Sequence, residues 1–295
     1  MFWEENMSFE IVTDSSANLP NDIIDKYNLH ILSLVFRVND VEYASYIKGE
    51  ENDLSKFYDM MRNKDLVTTS CMSPASCLEI FEPILSSGKD VLYIGFSSAL
   101  SGTYQTVHNV LEELKEKYPE RKIYDIDTLG ASLGEGLLVT YAAKQREEGK
   151  SIEEVHSWLM DNILHLCHWF TVDDLFFLKR GGRVSASAAV VGTVLGIKPV
   201  LHMDNSGRLI PVTKVRGRRK SLDALFEKME LLSTNPENQI VYISHGDCID
   251  DAEYLANKIK ERFGIKDILI HYVDPVIGAH SGPGTVALFF LGKER

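Results

Sequence analysis

Short apolar runs alternate with longer amphipathic stretches over the first half of the 295-residue chain. Residues 9–13 read as a strand that ends in the turn-rich Asp14-Ser15-Ser16-Ala17-Asn18, and Pro20 then stands where a first helical turn tolerates proline. Residues 31–38 read as a second strand, closed by the turn pair Asn39-Asp40. Ser73-Pro74 offers an N-cap followed by a first-turn proline. Residues 91–96 form a strand of the buried type, running into the hydroxyl-rich stretch 97–103 and then a helix to about Lys117. Residues 123–127 repeat the strand pattern, and a glycine-dotted helix opens near Ser132. Strands spaced by helices in this way predict a parallel sheet covered on both faces.

The rhythm changes after the capping box Ser151-Ile152-Glu153-Glu154, whose helix reaches about Leu164. Asp204-Asn205-Ser206-Gly207 reads as a hairpin turn between apolar segments 198–203 and 209–215. A helix follows, then a strand over 239–244, a helix over 250–263 and strands near 268–273 and 286–290. The expected fold is α/β in two domains with a ligand between them. An N-terminal parallel-sheet α/β domain takes 7–160, and a C-terminal α+β domain with a largely antiparallel sheet takes 161–295.

Composition narrows the function. Hydrophobic residues at 44% and charged residues at 25% are ordinary for a globular chain. A net charge of −12 gives no global attraction to nucleic acid or anionic lipid. The apolar stretch 188–201 is broken by Gly192, Thr193, Gly196, Lys198 and Pro199, too short a run to span a membrane. The first ten residues carry no basic or apolar leader, and Met7 is a second candidate start that would leave residues 1–6 outside the native chain. Cys71, Cys77, Cys167 and Cys248 form no CxxC pair and read as reduced thiols of a cytoplasmic protein.

Five Gly/Ser/Thr-dense segments follow strands or open helices: 13–16, 68–73, 97–103, 181–183 and 278–284. At the carboxyl ends of parallel strands such segments make anion sites, although each alone reads sooner as caps and turns. Together, IVTDSSANLP (11–20), TTSCMSP (68–74), FSSALSGTYQ (96–105), DDLFFLKRGGRVS (173–185) and VIGAHSGPGT (276–285) resemble, in order, the motifs of the DegV family of fatty-acid-binding proteins. The resemblance implies a carrier, not a catalyst. It holds one long-chain fatty acid in an apolar tunnel and needs no cofactor. It presents the carboxylate to a fatty acid kinase subunit, and the acyl phosphate formed there feeds phospholipid synthesis.

The same resemblance assigns the carboxylate to Thr69, Ser98 and His280, and contact with the kinase or phosphate to Arg183 and Arg216. The chemistry suits the assignment, because a carboxylate leaving water needs several donors. His280 alone reads sooner as a structural histidine in a glycine-rich turn, and the ligand role comes with the resemblance. Phe176, Phe177, Leu178, Ala188, Val190, Val191, Val194, Leu195 and Ile197 are candidate tunnel residues, or ordinary core. The basic groups Lys179, Arg180, Arg183 and Lys214, Arg216, Arg218, Arg219, Lys220 suit a phosphate or a kinase surface, or simple solvation. The family's usual Gln-Pro after Thr-Ser is replaced here by Cys71-Met72-Ser73, and its early Tyr-x-Asp by Tyr43-Ala44-Ser45-Tyr46.

Other readings are weaker. A serine esterase would use Ser98 or Ser101 with His280 and an acid such as Asp274, but Gly95-Phe96-Ser97-Ser98-Ala99 is not a GxSxG elbow. His165, Cys167 and His168 lie too close on one element to converge on a metal without a distant ligand. Neither GxGxxG nor GxxxxGK[ST] occurs.

Overall fold

The computed structural model describes residues 9–50, 52–185 and 196–295. Five of the elements before residue 73 are β1 (Phe9–Asp14), α1 (Asn21–Lys26), β2 (His30–Leu32), β3 (Val35–Val38) and β4 (Val41–Ala44). Then come α2 (Leu54–Arg62), β5 (Val67–Ser70), α3 (Pro74–Ser86), β6 (Asp90–Gly95), α4 (Thr103–Lys117), β7 (Ile123–Asp127), α5 (Leu133–Glu147) and α6 (Ile152–Asn162). The remainder is β8 (Leu166–Thr171), α7 (Phe176–Arg180), β9 (Ile197–Met203), β10 (Leu209–Arg216), α8 (Arg218–Leu232), β11 (Val241–His245), α9 (Ile249–Phe263), β12 (Ile268–Tyr272), α10 (Pro275–Ser281) and β13 (Val286–Leu291).

These strands build three sheets. A parallel sheet runs β2-β1-β6-β7, and a six-stranded sheet runs β10-β9-β8-β13-β11-β12 with only β11–β12 parallel. The third, β4-β3-β5, is small and antiparallel. This is the expected mixed α/β architecture. Every residue of β1 is buried, as a strand covered on both faces requires.

Local signals act as read. Ser73 accepts from the Ser76 N–H with Pro74 behind it, and both halves of the Ser151/Glu154 capping box form. Residues 31–38, however, do not form one strand. Leu34 gives its N–H to the Ser15 hydroxyl at 3.0 Å instead of a neighbouring strand, so the run divides into β2 in the parallel sheet and β3 in the small one. Asn39 and Asp40, both at positive φ, then turn the chain directly into β4.

Helix α5 lies between the two large sheets and is buried almost all round. Its glycines permit the approach: a Cβ on Gly134 would stand 2.1 Å from the His168 ring of β8. One apolar core therefore runs from Phe9 and Ile11 through Leu137 to Phe170 and Phe289. Among the described residues no helix is long and apolar enough to cross a membrane.

Candidate functional site

Helix α10 positions the site. Asp274 caps it by accepting from the Ile277 N–H at 2.9 Å, and Pro275 occupies the first turn. The glycine-rich segment 278–284, read as a turn, is thus helical through Ser281. At one turn's spacing, Val276 with His280 and Ile277 with Ser281 face a cavity between the six-stranded sheet and the loops after β5, β6 and β7. The cavity holds about 900 Å³ counting its open mouth. Its walls are mainly apolar, with Phe96, Leu100, Phe170, Met203, Val276 and Phe289 prominent.

Polar groups gather at one end. The Thr69 hydroxyl, at the end of β5, shares a 2.8 Å hydrogen bond with His280 Nε2. The other side of the imidazole lies against Gly181, where a Cβ would come within 2.1 Å of Nδ1. Burial, then the nearby guanidinium groups of Arg183 and Arg180, hold the His280 pKa down at about 4, so the ring is neutral at pH 7. Arg183 also lines the cavity and donates to the Leu100 and Gly181 carbonyls. Among the described residues it has no carboxylate within ion-pairing distance. A neutral imidazole, a hydroxyl and a cation without an anion around an apolar cavity suit one anionic head on an apolar body.

Ser98 does not join this group. Leu100 and Ser101 both donate backbone N–H groups to the Ser97 carbonyl, curling the loop after β6 so that neighbouring side chains diverge. Ser97 is buried and bonded to the Gly207 carbonyl, Ser98 is exposed with its backbone N–H on Asp127, and Ser101 lines the cavity. Arg216 lies outside the cavity lining, exposed on edge strand β10. Of the candidate tunnel residues Leu178 lines the cavity, whereas Phe177 and Ile197 do not and Phe176 is 56% exposed. Ala188, Val190, Val191, Val194 and Leu195 lie outside the described residues.

The esterase constellation is not assembled. Asp274 accepts from Ser45 and Ile277, His280 Nε2 is bonded to Thr69, and the Ser101 hydroxyl donates to Thr103.

A profile described as "Uncharacterised protein, DegV family" matches residues 8–293. The chain belongs to the DegV family. A DegV domain-containing protein of Clostridium perfringens is 45% identical over 287 residues, covering 97% of this chain and 98% of its own length. A DegV lipid-binding protein from Thermotoga maritima superposes with TM-score 0.85 at 29% identity, covering 98% of this chain and 99% of that one. A DegV family protein from Thermus thermophilus, solved for its fatty-acid binding, gives TM-score 0.85 at 28% identity over 97% and 99%.

The two-domain DegV fold explains residues that the sequence left unassigned. Phe170 and Phe289 were hidden in strands buried on both faces, where alternation carries no signal. Ile277 and Ser281 had a usable cue, because Asp274-Pro275 repeats the cap-and-proline pattern of Ser73-Pro74. The DegV segment Asp14-Ser15-Ser16 serves the interior instead of the cavity. Asp14 accepts from the Ser16 and Phe96 N–H groups and the Tyr93 hydroxyl, and the Ser16 hydroxyl also reaches Glu135.

Proposed function

We propose that this protein binds one long-chain fatty acid, with the carboxylate at Thr69 and His280 and the acyl chain along the apolar cavity. The observation that carries the reading is the Thr69–His280 pair at the end of a mainly apolar cavity. The lipid- and fatty-acid-binding structures of similar proteins support it. Arg183, on the cavity wall beside His280, adds long-range attraction for the carboxylate. A sixteen-carbon chain buries about fourteen methylenes, roughly 11 kcal/mol gross at about 0.8 kcal/mol each, so the tail sets affinity and the polar end sets orientation.

The protein carries its ligand and does not transform it. It acts in the cytoplasm, in keeping with four free cysteines. The carboxylate is presented to a separate fatty acid kinase subunit that supplies ATP, and the resulting acyl phosphate enters phospholipid synthesis. Arg216, exposed and without a carboxylate partner among the described residues, is assigned to the kinase-facing surface.

Native mass spectrometry of the purified protein, followed by solvent extraction, tests the reading. A stoichiometric fatty acid retained through purification is the expected result. A protein that is empty and takes up no added fatty acid overturns it.

A further inference from the structure

Ser281 is the last residue of α10, is 6% exposed, and lines the cavity beside His280. Its Oγ is shut off from water and has no hydrogen-bond partner among the described residues. Helical serines commonly return the hydroxyl to a carbonyl one turn back, and this one does not. Two other serines of the lining are engaged. Ser101 donates to Thr103, and Ser132 bonds with Asn18 and Ser244. A buried hydroxyl left without a partner is unfavourable, so an orphan on a residue of the cavity lining marks a place where the ligand supplies the acceptor.

The sheet register places Ser281 at the polar end. The Thr285 hydroxyl, just before β13, lies 3.1 Å from the Ser281 carbonyl, tying the last turn of α10 to the start of that strand. Ala287 and Phe289 carry the wall onward, paired with Phe170 and His168 of β8. At about 3.4 Å per residue, Phe289 lies about 14 Å beyond Thr285. Ser281 therefore belongs to the end that holds Thr69 and His280.

We propose that the Ser281 hydroxyl donates to the carboxylate of the bound fatty acid, taking the place that family resemblance gave to Ser98. This rests on the fatty-acid reading above. Thr69 and His280 are bonded to each other, so one donor is already spent between them, whereas a carboxylate offers about four acceptor positions. Ser281 brings a donor that has no partner among the described residues. No proton is transferred; the contact is a charge-assisted hydrogen bond.

The test compares wild type, Ser281→Ala and Ser281→Thr for binding of palmitic acid and of 1-hexadecanol, which has the same chain without the carboxylate. Ser281→Ala is expected to weaken palmitate roughly ten- to hundred-fold, with a much smaller effect on hexadecanol. Ser281→Thr, which keeps the hydroxyl, is expected to bind palmitate within a few-fold of wild type. Equal losses for both ligands overturn the proposal. So does palmitate binding by Ser281→Ala that equals or exceeds wild type, the sign of a hydroxyl facing the tail. Wild-type protein that binds neither ligand overturns the fatty-acid reading itself.

Discussion

Thr69 and His280 stand 211 positions apart in the chain and meet at 2.8 Å. Neither half of the site exists without the other, because β5 supplies the hydroxyl and α10 the imidazole. The ring is held from behind by the backbone of Gly181, which lies at ordinary negative φ and needs no glycine for conformational reasons. Gly181→Ala should therefore fold normally yet push the imidazole away from Thr69. Fatty-acid affinity is expected to fall about tenfold, comparable to loss of one charge-assisted hydrogen bond. Titration with a fluorescent fatty acid, alongside thermal melts of both proteins, checks this. Unchanged affinity would mean that His280 does not touch the ligand.

Arg216 tests the carrier reading separately from the lipid site. It is exposed on β10, whereas its neighbour Arg218 is committed to Asp251 at 2.8 Å and Arg219 stacks on Tyr254. Arg216→Glu should leave fatty-acid retention unchanged and slow acyl-phosphate formation by a cognate kinase at least tenfold, by replacing attraction with like-charge repulsion. Retention is read by solvent extraction and phosphorylation by ATP consumption. Equal rates for variant and wild type would remove Arg216 from the kinase surface.

How much was legible depended on how local each signal was. The Ser73 cap, the Ser151 capping box and the Asp204–Gly207 turn act within a few residues, and the elements they bound appear where the sequence placed them. The division of 31–38 turns on a hydrogen bond from Leu34 to Ser15, nineteen residues away, which no periodicity reveals. Strands β4 and β5 are short, and β4 is mostly exposed, so the small sheet gave little contrast to read. For the site, motif resemblance named Thr69 and His280, and the structure brings the two together. It also named Ser98, which the structure leaves exposed and outside the cavity lining; a Ser-Ser pair does not say which hydroxyl turns inward.

Arg295 closes a gap between the large sheets. Its buried guanidinium donates to the carbonyls of Thr128, Leu129, Ile163, Leu166 and Asp204. Burial lowers its pKa to about 10, which still leaves it charged at pH 7. Arg295→Ala removes every one of these donors and is expected to cost about 3–5 kcal/mol, as for breaking a buried charged network. Chemical denaturation at pH 7 measures it, and a loss below about 1 kcal/mol would show that water replaces the side chain without penalty.

The Ser16 hydroxyl has one proton yet lies against two carboxyl groups, 2.8 Å from Glu135 Oε2 and in contact with Asp14 Oδ1. Burial raises the pKa of both acids, but the Asp14 oxygens already accept from the Ser16 N–H, the Phe96 N–H and the Tyr93 hydroxyl, so the proton is assigned to Glu135. Burial, with the Asp14 and Asp274 charges adding to it, pushes the Glu135 pKa well above its ordinary value. A raised folded-state pKa means that the folded chain binds more protons than the unfolded one. Stability from this group is thus complete below the ordinary value of 4.5 and is lost as pH rises toward the folded value. The buried histidines His280 and His245, both near 4, act in the opposite sense between pH 4 and 6.5, where the unfolded chain binds more protons. Glu135→Gln keeps the shape of the protonated acid and cancels only the first contribution, since the histidines are common to both proteins. The melting-temperature difference, variant minus wild type, should therefore grow more positive as pH rises above about 4.5 and level off once Glu135 has ionised. A difference that stays constant across pH 4–9 would place the proton elsewhere.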